Sequence, residues 1–176
     1  MKYLNYSLLA LALCLVYACR LSSQEVPERL RTGYGPLDER LSRMVTADSL
    51  SLSPEEVRQL QDPLLLDARE PAEYAVSHLP GARNLGYDDP DYGTLENVDR
   101  DRPVVVYCTI GYRSERMAEE LRSRGFDKVY NLYGSIYAWA LAGNPVVNAA
   151  GPTDRIHTYN EKWGSYFPDS LLTKVH

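Results

Sequence analysis

The residue best placed for chemistry is Cys108. It follows the run Val104-Val105-Val106-Tyr107 and opens the segment Cys108-Thr109-Ile110-Gly111-Tyr112-Arg113, with Ser114 next. A valine run behind Pro103 reads as a buried strand. Ser114 to Arg124 places Met117, Ala118 and Leu121 at helical spacing and stops at Gly125, so it reads as a helix. The six residues from Cys108 to Arg113 then form a strand-to-helix loop. Backbone N–H groups of such a loop can cup an anion, Gly111 allows a conformation other residues resist, and Arg113 supplies a fixed positive charge. A thiol in that position ionises readily and serves as a nucleophile. The same Cys108 also fits a bland role, as a small apolar side chain capping a core strand.

The surrounding elements form an alternating series. Ser53-Pro54-Glu55-Glu56 combines an N-cap serine, a proline at the first helical position and a capping-box glutamate, predicting a short helix to about Gln61. Leu64-Leu65-Leu66 reads as a buried strand ending at Asp67, and Pro71 to Val76 as a short helix before the turn at Leu79-Pro80-Gly81. Lys128 to Leu132 is a further strand, and Ile136 to Ala142, carrying Trp139, a helix closed by Gly143. Such alternation predicts an α/β fold with a mostly parallel central sheet and helices on both faces. Sites in these sheets lie beyond the carboxyl ends of the strands, where Cys108 falls.

The N-terminus has a different character. Leu8 to Ala18 is an apolar run preceded by Lys2, of signal-peptide length and too short to span a bilayer comfortably. Val16-Tyr17-Ala18-Cys19 resembles a bacterial lipobox, in which Cys19 would take the lipid and anchor the chain to a membrane. Tyr17 stands where a small residue is usual, leaving plain cleavage after Ala18 as the alternative. Either way the expected location is the cell envelope, periplasmic or membrane-anchored. Cys14 would be lost with the signal and Cys19 acylated, so Cys108 would remain as a lone thiol in an oxidising compartment. Residues 19–43, polar and turn-rich around Gly33-Tyr34-Gly35-Pro36, are expected to be a flexible tether, with the domain over 44–148. The tail over 149–176 carries Tyr159, Trp163, Tyr166 and Phe167, too aromatic for a free tail, and is expected to pack back on the domain or dock a partner.

Three blocks carry a resemblance to the rhodanese-like domains. Leu66-Asp67-Ala68-Arg69-Glu70-Pro71-Ala72-Glu73-Tyr74, with Ser77-His78-Leu79-Pro80-Gly81-Ala82-Arg83-Asn84, is similar to the family's N-terminal signature. Cys108 to Ser114 resembles its active-site loop. Tyr130-Asn131-Leu132-Tyr133-Gly134-Ser135-Ile136, with Trp139, Gly143 and Pro145, resembles its C-terminal signature, Ser135 replacing the usual second glycine. The resemblance implies a rhodanese-like fold and a single-domain sulfurtransferase. Cys108 would take sulfur from a small donor such as thiosulfate, become a persulfide, and pass the outer sulfur to a thiol, cyanide or another nucleophile. The loop from Thr109 to Ser114 would cradle the anion. The related phosphatase branch uses a longer loop, and here Ser114 stands where its arginine would fall, so phosphatase chemistry is disfavoured.

Other residues near these blocks have plainer roles. Asp67, Arg69 and Glu73 read as an ion-pair set holding a strand end near the loop, Arg69 being the best candidate for an indirect role. His78 reads as a hydrogen bond fixing its turn, Trp139 as core, and Tyr112 as a pocket-mouth residue. No metal-ligand cluster is visible in the sequence, and the chemistry calls for no cofactor.

Composition limits the remaining classes. The 176 residues fit one domain with appendages, and a net charge of −5 without a dense basic run argues against nucleic-acid binding. Three classes stay open: an envelope sulfurtransferase, a catalytically quiet module binding a partner protein, and a persulfide relay feeding one acceptor. The pairing of Cys108 with Arg113 favours chemistry.

Overall fold

A computed structural model describes residues 25–176. The expected signal segment and Cys19 lie outside these residues. In chain order the regular elements are α1 (Gly35–Leu41), β1 (Ser51–Leu52), α2 (Pro54–Gln59), β2 (Leu64–Asp67), α3 (Pro71–Val76) and β3 (Arg83–Asn84). They continue with β4 (Val104–Tyr107), α4 (Tyr112–Ser123), β5 (Val129–Leu132), α5 (Ser135–Leu141) and β6 (Val146–Asn148). The chain closes with β7 (Gly151–Thr153), β8 (Arg155–His157), α6 (Glu161–Gly164) and β9 (Thr173–Val175).

The central sheet has five strands in the order β1-β5-β4-β2-β3, with every neighbouring pair parallel. All four residues of β4 are buried, because the strand is covered on both faces. Its side chains alternate between two apolar clusters, as the two-residue period of a strand requires. Val104 and Val106 pack with Met117, Ala118 and Leu121 of α4. Val105 and Tyr107 pack on the other face, with Leu37 and Leu41 of α1 and Ile136, Tyr137 and Trp139 of α5.

Residues 25–43 correct one expectation. Instead of a tether, the described part of this stretch contributes Leu30, Leu37 and Leu41, each at most 2% exposed, to the core. Leu37 and Leu41 lie four apart and therefore share one face of α1. Thr32 N–H and Oγ1 both donate to Asp38 Oδ1, at 2.8 and 2.7 Å, tying the preceding turn to the helix. The Gly-Tyr-Gly-Pro run is the entry turn of this helix, with Pro36 in its first turn.

The C-terminal segment also lies on the domain. β8 and β9 pair with each other, Ile156 and Phe167 are buried, and Phe167 packs against Tyr137 at 4.8 Å between ring centroids.

Candidate active site

β4 delivers Cys108 at its carboxyl end, between α4 and α5. The expected six-residue loop is shorter, since Tyr112 and Arg113 already form the first turn of α4. Gly111 is the N-cap at φ +121°, and a Cβ there would stand 3.2 Å from Val45 Cγ1. The tight turn and the close approach both require glycine. Thr109, Ile110 and Gly111 are buried beside Cys108, which is 2% exposed.

The loop's carbonyls are held from behind. Cys108 O accepts from Ile136 N–H at 3.3 Å and Thr109 O from Tyr137 N–H at 3.4 Å, both in α5. Gly111 O accepts from Asn131 Nδ2 at 3.2 Å. With its carbonyls turned outward, the loop can aim N–H groups at sulfur, and Gly111 N–H donates to Cys108 Sγ at 3.2 Å. Cys108 N–H itself donates to Ser135 Oγ at 2.9 Å. Ser135 sits at φ +51°, after Gly134, where a Cβ would meet Ala138 Cβ at 2.7 Å.

Burial pushes the Cys108 thiol up, but the Arg113 charge and hydrogen bonds from Ser114 and Gly111 outweigh it, so the thiol lies below its ordinary range. Ser114 Oγ also donates to Asn131 Oδ1 at 2.7 Å, and Ser114 is not among the residues lining the cavity. Arg113 is not a free cation. Its Nη1 and Nη2 donate to Glu73 Oε2 and Oε1 at 2.7 and 2.8 Å, and Nη2 also reaches Thr109 Oγ1 at 3.1 Å. Burial pushes the Glu73 carboxyl up, yet the Arg113 hydrogen bonds and charge hold it below the usual range. Glu73 is therefore a partner of the loop through Arg113.

Asp67 and Arg69 form a separate, fully buried pair. Arg69 Nε and Nη2 donate to Asp67, and Nη2 donates to Ser77 O at 2.6 Å, joining the end of β2 to the end of α3. Neither lines the cavity over Cys108. His78 donates through Nδ1–H to Tyr74 O at 2.9 Å and stacks on the Tyr74 ring. Trp139 is core, its Nε1 donating to Pro145 O.

The cavity has a volume of about 480 Å³, and Cys108, Thr109 and Ile110 line it beneath Tyr112 and Arg113. Met44, Glu70, Tyr87, Asp88, Tyr159 and Trp163 complete it. These walls come from segments far apart in the chain and share no local pattern. The aromatic tail and the unusual Ser135 are the two signals in the sequence that point toward Tyr159, Trp163 and the hydroxyl that accepts from the Cys108 N–H.

Residues 53–142 match the Rhodanese-like domain family. The chain belongs to that family. It is 38% identical over 104 residues to a sulfurtransferase of Allochromatium vinosum, covering 59% of this chain and 95% of that one. It is 34% identical over 94 residues to a thiosulfate sulfurtransferase of Actinobacillus succinogenes, covering 53% and 83% respectively. In fold it is similar to the rhodanese-like domain of an Anabaena protein, with a TM-score of 0.52 at 22% identity over 57% of this chain and 80% of that one.

Proposed function

We propose that this chain is a sulfurtransferase that carries sulfane sulfur as a persulfide on Cys108. The observation that carries this reading is Cys108 Sγ lining a cavity, 3.2 Å from the Gly111 nitrogen, in a loop whose Cys108, Thr109 and Gly111 carbonyls are hydrogen-bonded to α5 and Asn131. With thiosulfate as donor, the thiolate attacks the outer sulfur. A new S–S bond forms, the donor's S–S bond breaks, and sulfite leaves with the electron pair. A thiol or cyanide then attacks the outer sulfur of the persulfide, and Cys108 departs as thiolate. Both steps place negative charge on sulfur, where the preorganised N–H groups act. The names of the Allochromatium and Actinobacillus relatives support the class, and the second supports thiosulfate.

The test is thiocyanate formation from thiosulfate and cyanide. Turnover by the wild type that vanishes in Cys108→Ser is expected. Equal turnover in the variant would refute the Cys108 route, and a folded wild type inert toward sulfane donors would favour the partner-binding module. We also propose export to the cell envelope, with lipid on Cys19 as the anchor. Cys19→Ser should then move the protein from membrane to soluble fractions, whereas a wild type already soluble would contradict the anchor.

A further inference from the structure

Three features distinguish the mouth of the cavity from its base. First, it is aromatic, and three of its rings are each backed by an arginine. Arg116 lies 3.6 Å from the Tyr112 centroid, Arg40 5.0 Å from that of Trp163, and Arg113 5.4 Å from that of Tyr159. Such stacking fixes the rings in place.

Second, its charge is acidic. Glu70 and Asp88 stand at the wall, and Glu70 is pinned by the Asp88 N–H at 3.3 Å. The one cation among the residues lining the cavity, Arg113, is paired with Glu73. Arg40 and Arg116 stand against the rings and are not among the residues lining the cavity, so the lining itself presents the Glu70 and Asp88 carboxylates.

Third, Tyr159 and Trp163 lie beyond the family match, which ends at residue 142. They are firmly placed. Thr158 N–H donates to Val175 O at 2.8 Å and its Oγ1 lies 2.7 Å from His176 Nδ1, while Tyr159, at φ +67°, donates its N–H to His157 Nδ1 at 3.0 Å. The C-terminal segment thus lays its own wall over a family site.

We infer that the C-terminal segment makes an acceptor subsite, in which Tyr159, Trp163, Tyr112 and Met44 hold the apolar or aromatic body, itself uncharged, of a small thiol. This assignment rests on the sulfurtransferase reading and names its acceptor. A cavity of about 480 Å³ is far larger than cyanide needs and falls within the usual range for organic ligands. The acceptor's thiolate attacks the outer sulfur of the protonated Cys108 persulfide. One S–S bond forms, the old one breaks, the electron pair returns to Cys108 Sγ, and the proton stays on the transferred sulfur.

The experiment loads Cys108 with sulfur from thiosulfate, confirms the adduct by mass, and follows its loss to phenylmethanethiol or to 2-mercaptoethanesulfonate. The rate ratio, neutral aromatic over anionic, is compared between wild type, Tyr159→Ala and Tyr159→Phe. Tyr159 is 54% exposed, so these changes leave the core intact. The ratio should fall about 5-fold in Tyr159→Ala, the worth of one ring contact, and be retained in Tyr159→Phe. Asp88→Asn should raise the sulfonate rate. A persulfide that moves to both thiols at the same ratio in all three proteins overturns the subsite alone. Absence of any persulfide on the wild type overturns the sulfurtransferase reading and the subsite with it.

Discussion

Glu73 of α3 and Arg113 of α4, forty positions apart, face each other through two contacts of 2.7 and 2.8 Å, and Arg113 continues to Thr109 Oγ1 in the loop. The pair links the helix after β2 to the loop after β4. It also fixes the orientation of the positive charge that lowers the thiol of Cys108.

Glu73→Gln should destabilise the fold by about 3 kcal/mol, because it leaves a largely buried guanidinium without its counter-charge. Urea denaturation at neutral pH measures this. The carboxyl's native value lies below its unfolded one, so its stabilisation is complete above the ordinary carboxylate range and is lost as pH falls through the native value. The wild-type urea midpoint should therefore drop on acidification, and Glu73→Gln should show a shallower drop. Parallel pH curves would contradict this.

Arg113→Ala should raise the pH at which Cys108 ionises. Burial opposes the thiolate, and Arg113 is the strongest influence against it. The thiolate's ultraviolet absorbance, followed as a function of pH and corrected with Cys108→Ser, reads the midpoint directly. The wild-type midpoint should lie below that of free cysteine and move upward in Arg113→Ala.

Ser135 separates two effects that act at one position. Ser135→Ala removes the acceptor of the buried Cys108 N–H and keeps the left-handed backbone, so a loss of about 1–3 kcal/mol is expected. Ser135→Gly removes the same acceptor but relieves the backbone, so its loss should be smaller by about 1 kcal/mol. Thermal melts of the two variants decide this, and equal losses would contradict the strain at φ +51°.

Leu41→Ala should cost about 2–5 kcal/mol, as for any fully buried leucine, although it lies before the family match. A loss below about 0.5 kcal/mol, typical of a surface change, would return residues 25–43 to the status of a tether.

Local signals explain what was legible. Val104 to Val106 could be read because a parallel strand buried on both faces is a continuous apolar run. Ser53 with Glu56 was legible because a capping box is a contact between near neighbours, and both halves of it are present. α1 was not, because seven residues show little periodicity and its glycine-rich entry resembles a linker. Arg113 could be assigned to the loop but not to Glu73, since no local pattern links residues forty apart. The cavity walls were illegible for the same reason: Tyr159 and Cys108, which line one cavity, are fifty-one positions apart, and β8 comes to the site by packing on α3.

The most direct test is the intact mass of residues 20–176 after incubation with thiosulfate, beside Cys108→Ser. An adduct of about one sulfur atom on the wild type, reversed by cyanide and absent from the variant, is the expected result. No adduct on a folded wild type, or the same adduct on Cys108→Ser, would contradict a persulfide carried by Cys108.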